Sequence, residues 1–138
     1  MKILSILLLL SLFSLSAAAT DITLPVLGAY DGDTIYSQMP MLPAPLSKVS
    51  IRIIGIDTPE MRGKCSYEKD QARLAKSKLL EIISTNKVVI VKDVKWDKYG
   101  GRVLGRVFLE DGTDVRLAMI NSGLARPYSG GFRKDWCK

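Results

Sequence analysis

Hydrophobic and β-branched residues cluster in short runs separated by polar turn sequences, a pattern typical of strands. Residues 22–37 form two such runs around Asp31-Gly32, and residues 48–56 form a third run rich in β-branched residues. Residues 87–94 and 101–112 have the same character, and the second of these ends in an Asp-Gly turn. The pattern therefore predicts five strands.

Two other segments follow the helical period. Residues 67–84 have one apolar face, and Ser66 precedes them as a capping residue. The apolar positions of this long helix are Ala72, Ala75, Leu79, Ile82 and Ile83. Asp114 can cap a shorter helix over residues 115–122, which Gly123 would end.

The order strands, helix, strands, helix predicts an α+β fold that is mainly β. A small sheet buries enough apolar surface only when it curls into a barrel with the long helix packed against it. We therefore expect a five-stranded OB-fold barrel with the long helix after the third strand and a short C-terminal helix. Residues 124–138 have no clear period and are expected to form an irregular tail.

Residues 1–19 have the composition of a secretory signal peptide. Lys2 precedes an apolar run over residues 3–13, and small residues follow at 17–19. The run is too short to span a bilayer comfortably. We therefore expect an exported protein, periplasmic or secreted, whose mature part is one domain over residues 20–138 with no membrane anchor.

The chain has 20 Lys and Arg residues, 14 Asp and Glu residues, 2 cysteines and no histidine. The positive charge fits a polyanionic partner or simple solubility. The absence of histidine excludes Ser-His-Asp and Cys-His nucleophilic catalysis, and two cysteines alone rarely form a structural zinc site. Because exported proteins mature under oxidising conditions, we expect a disulfide between Cys65 and Cys137 rather than two free thiols.

Three short motifs carry the candidate chemistry. They are "DGDT" with Asp31 and Asp33, "RIIGIDTPE" with Arg52, Asp57, Thr58 and Glu60, and "DKYGGR" with Lys98, Tyr99 and Arg102. Each motif alone fits a turn, a helix cap or a solvated strand end. Together, carboxylate and carbonyl oxygens without histidine or thiolate favour a hard cation such as Ca²⁺ or Mg²⁺. Two arginines suit bidentate binding of a phosphate.

Strict strand alternation would place Arg52 and Asp57 on opposite faces, because they are five residues apart. Gly55 lies between them, and a bulge or kink at this glycine would turn both side chains towards one pocket. The sequence therefore predicts an irregular backbone near Gly55.

In their order and separation, these motifs and "MINSGLARPY" resemble the staphylococcal (micrococcal) thermonuclease family over about residues 26–128. The resemblance implies an OB-fold barrel with helices. It also implies a Ca²⁺-dependent phosphodiesterase that cleaves DNA and RNA with low sequence specificity and leaves 3′-phosphate ends.

The resemblance further implies roles for individual residues. The implied metal ligands are the carboxylates of Asp33 and Asp57 and the backbone carbonyl of Thr58. Asp31 would lie behind these ligands. Glu60 would either orient or deprotonate the attacking water, and we leave these two roles open. Arg52 and Arg102 would bind the scissile phosphate and stabilise its transition state.

Residues further from the reacting bond are implied to hold the rest of the substrate. Lys98 and Tyr99 resemble residues that bind a terminal phosphate. Tyr128 would either stack on a base or serve ordinary packing, and stacking would favour single-stranded or frayed DNA and RNA. Alignment through the Asp-Gly turn would place Val103 where we place Arg102, but valine cannot bind phosphate.

Two alternatives belong to other functional classes. One is a catalytically inactive OB-fold domain that binds nucleic acid without cutting it. The other is an extracellular Ca²⁺-stabilised module with no nucleic-acid role. The complete set of acidic and arginine residues favours the enzyme, and we expect it to be a monomer.

Overall fold

The computed structural model describes residues 20–137, so the predicted signal peptide lies outside the described residues. The elements in chain order are β1 (Ile22–Pro25), β2 (Gly28–Ala29), β3 (Thr34–Gln38), β4 (Lys48–Ile53), β5 (Ile56–Asp57), α1 (Ser66–Ile83), β6 (Val88–Trp96), β7 (Arg102–Phe108), α2 (Val115–Asn121) and β8 (Arg126–Pro127). Each strand and helix predicted from the sequence is present, with its ends shifted by a few residues.

Six strands form one curled sheet in the order β1-β6-β7-β4-β3-β2. Its edge strands, β1 and β2, are consecutive pieces of one bent segment that changes partner between them. At the β1 edge, the N–H of Val26 donates to the carbonyl of Lys87, just before β6, at 2.9 Å. At the β2 edge, the N–H of the next residue, Leu27, donates to the carbonyl of Tyr36 in β3 at 2.9 Å. The two edges therefore meet. With β1 and β2 counted as one strand, this is the predicted five-stranded barrel, and the mainly β, α+β fold is confirmed.

The long helix packs its apolar face against the barrel. Its buried residues include Ala72, Ala75, Leu79 and Ile83, with Ile82 partly buried. The helix begins one residue earlier than predicted. Its capping residue is Cys65 rather than Ser66, because the Cys65 sulfur accepts from the N–H of Glu68 at 3.4 Å. Asp114 caps α2 as predicted, and Gly123 follows that helix with a φ of +78°.

The C-terminal segment is tied to the rest of the domain at both ends. Strand β8 pairs with β5, and a disulfide joins Cys137 to Cys65 at the start of α1, as the sequence analysis expected. Between these two ties, residues 128–136 form no helix or strand. Neither helix within residues 20–137 combines the length and the apolar composition that crossing a membrane requires.

Candidate functional site

The first two motifs meet at Asp33, which is buried at the start of β3. Its Oδ2 accepts a hydrogen bond from the hydroxyl of Thr58 at 2.9 Å and pairs with Nη1 of Arg52. The carbonyl of Asp33 accepts from the N–H of Ile53 at 2.8 Å, which fixes the Asp33 backbone to β4. A carboxylate, a guanidinium and the loop after β5 therefore form one cluster.

The backbone turns at Gly55, as the spacing of Arg52 and Asp57 predicts. Strand β4 ends at Ile53 and β5 begins at Ile56, with Gly55 between them at a φ of +86° that favours glycine. The predicted irregularity near Gly55 is confirmed. It allows residues on both sides of the turn to contribute to one site.

Arg52, Glu60 and Arg102 line a single cavity of about 430 Å³. Asp31 and Asp33 line the same cavity. Strands β4 and β7 are parallel neighbours, which brings the third motif beside the second. Three segments that are far apart in the sequence therefore converge in space.

Arg102 is held by Asp97, a residue that no sequence motif predicted as part of the site. Oδ2 of Asp97 accepts from Nε of Arg102 and pairs with Nη2, while Oδ1 accepts from the N–H of Tyr99 at 3.2 Å. Desolvation raises the pKa of Asp97. These hydrogen bonds and the charge of Arg102 outweigh that effect and lower the pKa below its ordinary value. Val103 is only 1% exposed and lies in the core, so Arg102 is the residue that faces the cavity.

Asp57 lies behind side chains of the C-terminal tail. Its Oδ1 accepts from Nε of Arg133 at 2.6 Å and also contacts Nη2, and its Oδ2 accepts from the indole N–H of Trp136 at 2.9 Å. Nη1 of Arg133 donates to Oε1 of Glu60 at 2.8 Å. Arg133, in the segment predicted to be an irregular tail, therefore bridges two acidic residues of the site.

Opposite charges lie close together throughout the cluster. Burial lowers the pKa of Arg52, and the charges of Asp31 and Glu60 oppose this change. Burial raises the pKa of Asp31, opposed by local hydrogen bonds and by Arg52. Burial also works against the charged form of Arg133, but hydrogen bonds to Glu60 and Asp57 raise its pKa overall.

The loop that carries Glu60 is braced by Glu68 of α1. The two carboxylate oxygens of Glu68 accept from the N–H of Glu60 at 3.2 Å and from that of Lys64 at 2.9 Å. A Cβ at Gly63 would lie 2.6 Å from the Glu68 carboxylate, so the loop follows this side chain closely. In the sequence, Glu68 looks like an ordinary acidic residue at a helix start.

The predicted substrate-binding residues Lys98, Tyr99 and Tyr128 do not line the cavity that holds Arg52 and Arg102. Lys98 and Tyr99 are in the turn between β6 and β7, with Nζ of Lys98 5.0 Å from the centre of the Tyr99 ring. Tyr99 is 77% exposed. Tyr128 lines a second, larger cavity of about 690 Å³, which shares Arg52 with the first.

Oxygen atoms suited to a hard cation converge around one nitrogen of Arg133. Its Nη2 contacts Oδ1 of Asp57 and lies 3.4 Å from the carbonyl oxygen of Thr58. The Thr58 hydroxyl in turn contacts Asp33. Carboxylate and carbonyl oxygens are the donors that Ca²⁺ prefers, so the oxygens of Asp57 and Thr58 suit such an ion, and the Asp33 carboxylate adjoins them through the Thr58 hydroxyl.

Comparison with known proteins relates the chain to nucleases. The family model of the staphylococcal nuclease homologue matches residues 50–135. An uncharacterized endonuclease of Escherichia coli is 33% identical over 121 residues, which cover 88% of this chain and 71% of that protein. Endonuclease YhcR of Bacillus subtilis is 32% identical over 106 residues, which cover 71% of this chain but 8% of that protein.

A curled five-stranded sheet with two helices is consistent with an OB-fold, and acidic and arginine side chains line one of its cavities. Together with the matches, these features identify the family. The chain belongs to the staphylococcal nuclease family, which confirms the resemblance found in the sequence. Membership of this family supports nuclease activity in general.

Proposed function

We propose that this protein is a Ca²⁺-dependent nuclease that hydrolyses DNA and RNA with low sequence specificity and leaves 3′-phosphate ends. The observation that carries the proposal is the convergence of Arg52, Glu60 and Arg102 on one cavity, beside the buried carboxylates of Asp33 and Asp57. Family membership and the endonuclease relatives support it.

In this proposal, Arg52 and Arg102 bind the non-bridging oxygens of the scissile phosphate. Each guanidinium is oriented by a carboxylate, Arg52 by Asp33 and Arg102 by Asp97. Preorganised donors of this kind stabilise the charge that develops on the phosphate in the transition state. Because the guanidinium fork matches phosphate geometry, lysine would not replace either arginine fully.

Asp33, Asp57 and the carbonyl of Thr58 would hold the cation. When bound, Ca²⁺ would offset the negative charge of the phosphodiester and help to activate water. The Asp31 side chain accepts from the N–H of Asp33 at 3.2 Å and thereby fixes the loop that presents the Asp33 carboxylate.

In this proposal, Glu60 acts on the attacking water. Its side chain is 46% exposed and lines the cavity together with both arginines. The water oxygen forms a bond to phosphorus while the bond from phosphorus to the 5′ oxygen breaks. One proton of the water moves by way of Glu60 or solvent, and the 5′ oxygen gains a proton, which leaves a 3′-phosphate and a 5′-hydroxyl.

The rest of the substrate would lie along the surface on both sides of this cavity. We propose that a base contacts Tyr128 in the larger cavity that shares Arg52, and that Lys98 and Tyr99 contact a more distant phosphate. Stacking is open only to an unpaired base, so single-stranded or frayed substrates would be preferred. The enzyme is proposed to act as a monomer.

We also propose that the protein is exported to the periplasm or the medium. The composition of residues 1–19 supports this, and so does the disulfide, because such bonds persist in oxidising compartments. Fractionation of the host cells, with an activity assay on each fraction, tests the location.

Digestion of denatured DNA and of RNA by the purified, disulfide-bonded protein tests the activity. We expect degradation with Ca²⁺, none with a chelator, and products whose 5′ ends a polynucleotide kinase labels without prior phosphatase treatment. A Glu60→Gln variant purified in parallel excludes a contaminating nuclease. Binding of DNA without any cleavage would instead favour the inactive OB-fold domain.

A further inference from the structure

The C-terminal tail places a positive side chain on the oxygens that are proposed to hold the cation. We propose that Arg133 is a tethered competitor of the cation, which occupies these oxygens until Ca²⁺ displaces it. This inference rests on the proposed function, because it presumes that Asp57 and Thr58 are cation ligands.

The contacts of Arg133 are directed at the acidic centre of the site. Nε and Nη2 reach Oδ1 of Asp57, Nη1 reaches Oε1 of Glu60, and Nη2 also faces the carbonyl of Thr58 at 3.4 Å. All three nitrogens of the guanidinium are thus used on groups that the proposed mechanism needs for the cation or the water.

A cation and this guanidinium cannot share Oδ1 of Asp57. Ca²⁺ binds carboxylate oxygens at about 2.3–2.6 Å, which leaves no room for two N–H donors on the same atom. Like charges at contact distance also repel, and more strongly where water is partly excluded. Asp57 is buried, so cation binding requires Arg133 to move away from it.

The tail is built to keep Arg133 close to the site. The indole of Trp136 donates to Oδ2 of Asp57, and the guanidinium of Arg126 lies 3.5 Å from the centre of the Trp136 ring. Nη1 of Arg126 also donates to the carbonyls of Lys134 at 3.3 Å and Asp135 at 3.2 Å. These contacts hold the segment that directly follows Arg133 in place.

The disulfide closes this tether. Cys137 is four residues beyond Arg133 and is bonded to Cys65, next to the loop that carries Glu60. A short tether to a fixed point gives a group a high effective concentration at its partner. The disulfide therefore strengthens Arg133 as a competitor, and breaking the bond weakens the competition.

Calorimetric titration of Ca²⁺ into the disulfide-bonded protein, without nucleic acid, tests the inference. We expect Arg133→Gln to bind Ca²⁺ about tenfold more tightly than the wild type, equivalent to about 1.4 kcal/mol. The charge-assisted hydrogen bonds that Ca²⁺ must replace are strong, but Arg133 is 40% exposed and partly screened. Arg133→Lys keeps the charge without the planar fork and should give an intermediate affinity.

Lys134→Gln is the matched control, because it removes the same charge one residue later. The contact of Lys134 with Arg126 uses the backbone carbonyl, so this variant should change the Ca²⁺ affinity less than about twofold by screened charge effects. Equal affinities of Arg133→Gln and Lys134→Gln would overturn the inference. Weaker binding by Arg133→Gln would also overturn it, since Arg133 would then be a support of the cation site.

The tether is tested by Cys137→Ser in two backgrounds. In the wild-type background this change should tighten Ca²⁺ binding, and in the Arg133→Gln background it should not. Tightening of the same size in both backgrounds would show that the disulfide does not act through Arg133. Urea denaturation of each variant without Ca²⁺ confirms that it is folded.

The two proposals fail in different ways. Equal Ca²⁺ affinity of the wild type and Arg133→Gln, together with intact Ca²⁺-dependent digestion, would overturn only the proposal that Arg133 competes with the cation. Absence of Ca²⁺ binding in all variants would overturn both proposals.

Discussion

Gly32 lies where the loop between Asp31 and Asp33 approaches helix α1, and alanine at this position tests how firmly that loop is fixed. A Cβ at Gly32 would lie 2.7 Å from the Cβ of Ala75 and 3.1 Å from the Cβ of Thr58. Carbon atoms in favourable contact are about 3.5–4.0 Å apart. The loop or the helix must therefore move by about 1 Å to accept the methyl group.

This displacement has two consequences, one for stability and one for activity. Forcing a methyl group into a packed contact costs about 1–3 kcal/mol of unfolding free energy. The same movement shifts Asp33 relative to Thr58 and Arg52, its two partners in the proposed site. A misplacement of about 1 Å in a catalytic constellation lowers the rate by about 100-fold, so the variant should lose most of its activity even where it remains folded.

Urea denaturation and kcat/KM on denatured DNA measure the two effects separately. A Gly32→Ala, Ala75→Gly double variant relieves the shortest contact and should recover most of the lost activity. Glycine within the helix still costs about 1 kcal/mol, which the Ala75→Gly single variant measures. Two results would refute the proposed close contact between the loop and the helix. One is a Gly32→Ala variant with wild-type stability and activity. The other is a double variant that folds normally but is inactive.

Three further predictions concern other parts of the site. Glu60→Gln should lower kcat by about 100- to 10,000-fold and change the unfolding free energy by less than about 0.5 kcal/mol, because the side chain is half exposed; a larger loss of stability in urea would show a structural role. Cys137→Ser opens a loop with a sequence separation of 72 residues and should lower the unfolding free energy by up to about 4 kcal/mol in urea titrations; an unchanged value would contradict this. Asp97→Asn should lower kcat/KM about tenfold by releasing Arg102. The pKa of Asp97 is depressed in the folded state, so ionised Asp97 stabilises the fold above its ordinary pKa of 3.8. This stabilisation is lost as the pH falls through the pKa of the folded state. The difference in unfolding free energy between wild type and Asp97→Asn should therefore shrink in acid, and a pH-independent difference would contradict this.

The barrel and the kink at Gly55 could be predicted because both follow from local pattern. Strand count and a single long amphipathic helix restrict the fold to few architectures. The kink could be predicted because regular strand alternation points Arg52 and Asp57 to opposite faces of the sheet. They can share a site only if the alternation is broken between them. Turn-forming glycine marked the place where it breaks.

The contacts of the tail could not be predicted in the same way. Arg133 and Asp57 are 76 residues apart, and residues 128–136 have no hydrophobic period that would indicate a docking face. Cys137 was the one signal that the tail lies near the active-site loop, and a disulfide does not indicate which intervening side chains turn inward. Asp97 was missed for a related reason, because its role depends on the fold of the turn before β7.

A crystal structure of the protein with Ca²⁺, with the ion located by its anomalous signal, would show directly whether the proposed residues hold the cation. We expect one ion within about 2.3–2.6 Å of carboxylate oxygens of Asp33 and Asp57 and of the carbonyl oxygen of Thr58. An ion bound elsewhere, or no ion at saturating Ca²⁺ in an intact barrel, would contradict it.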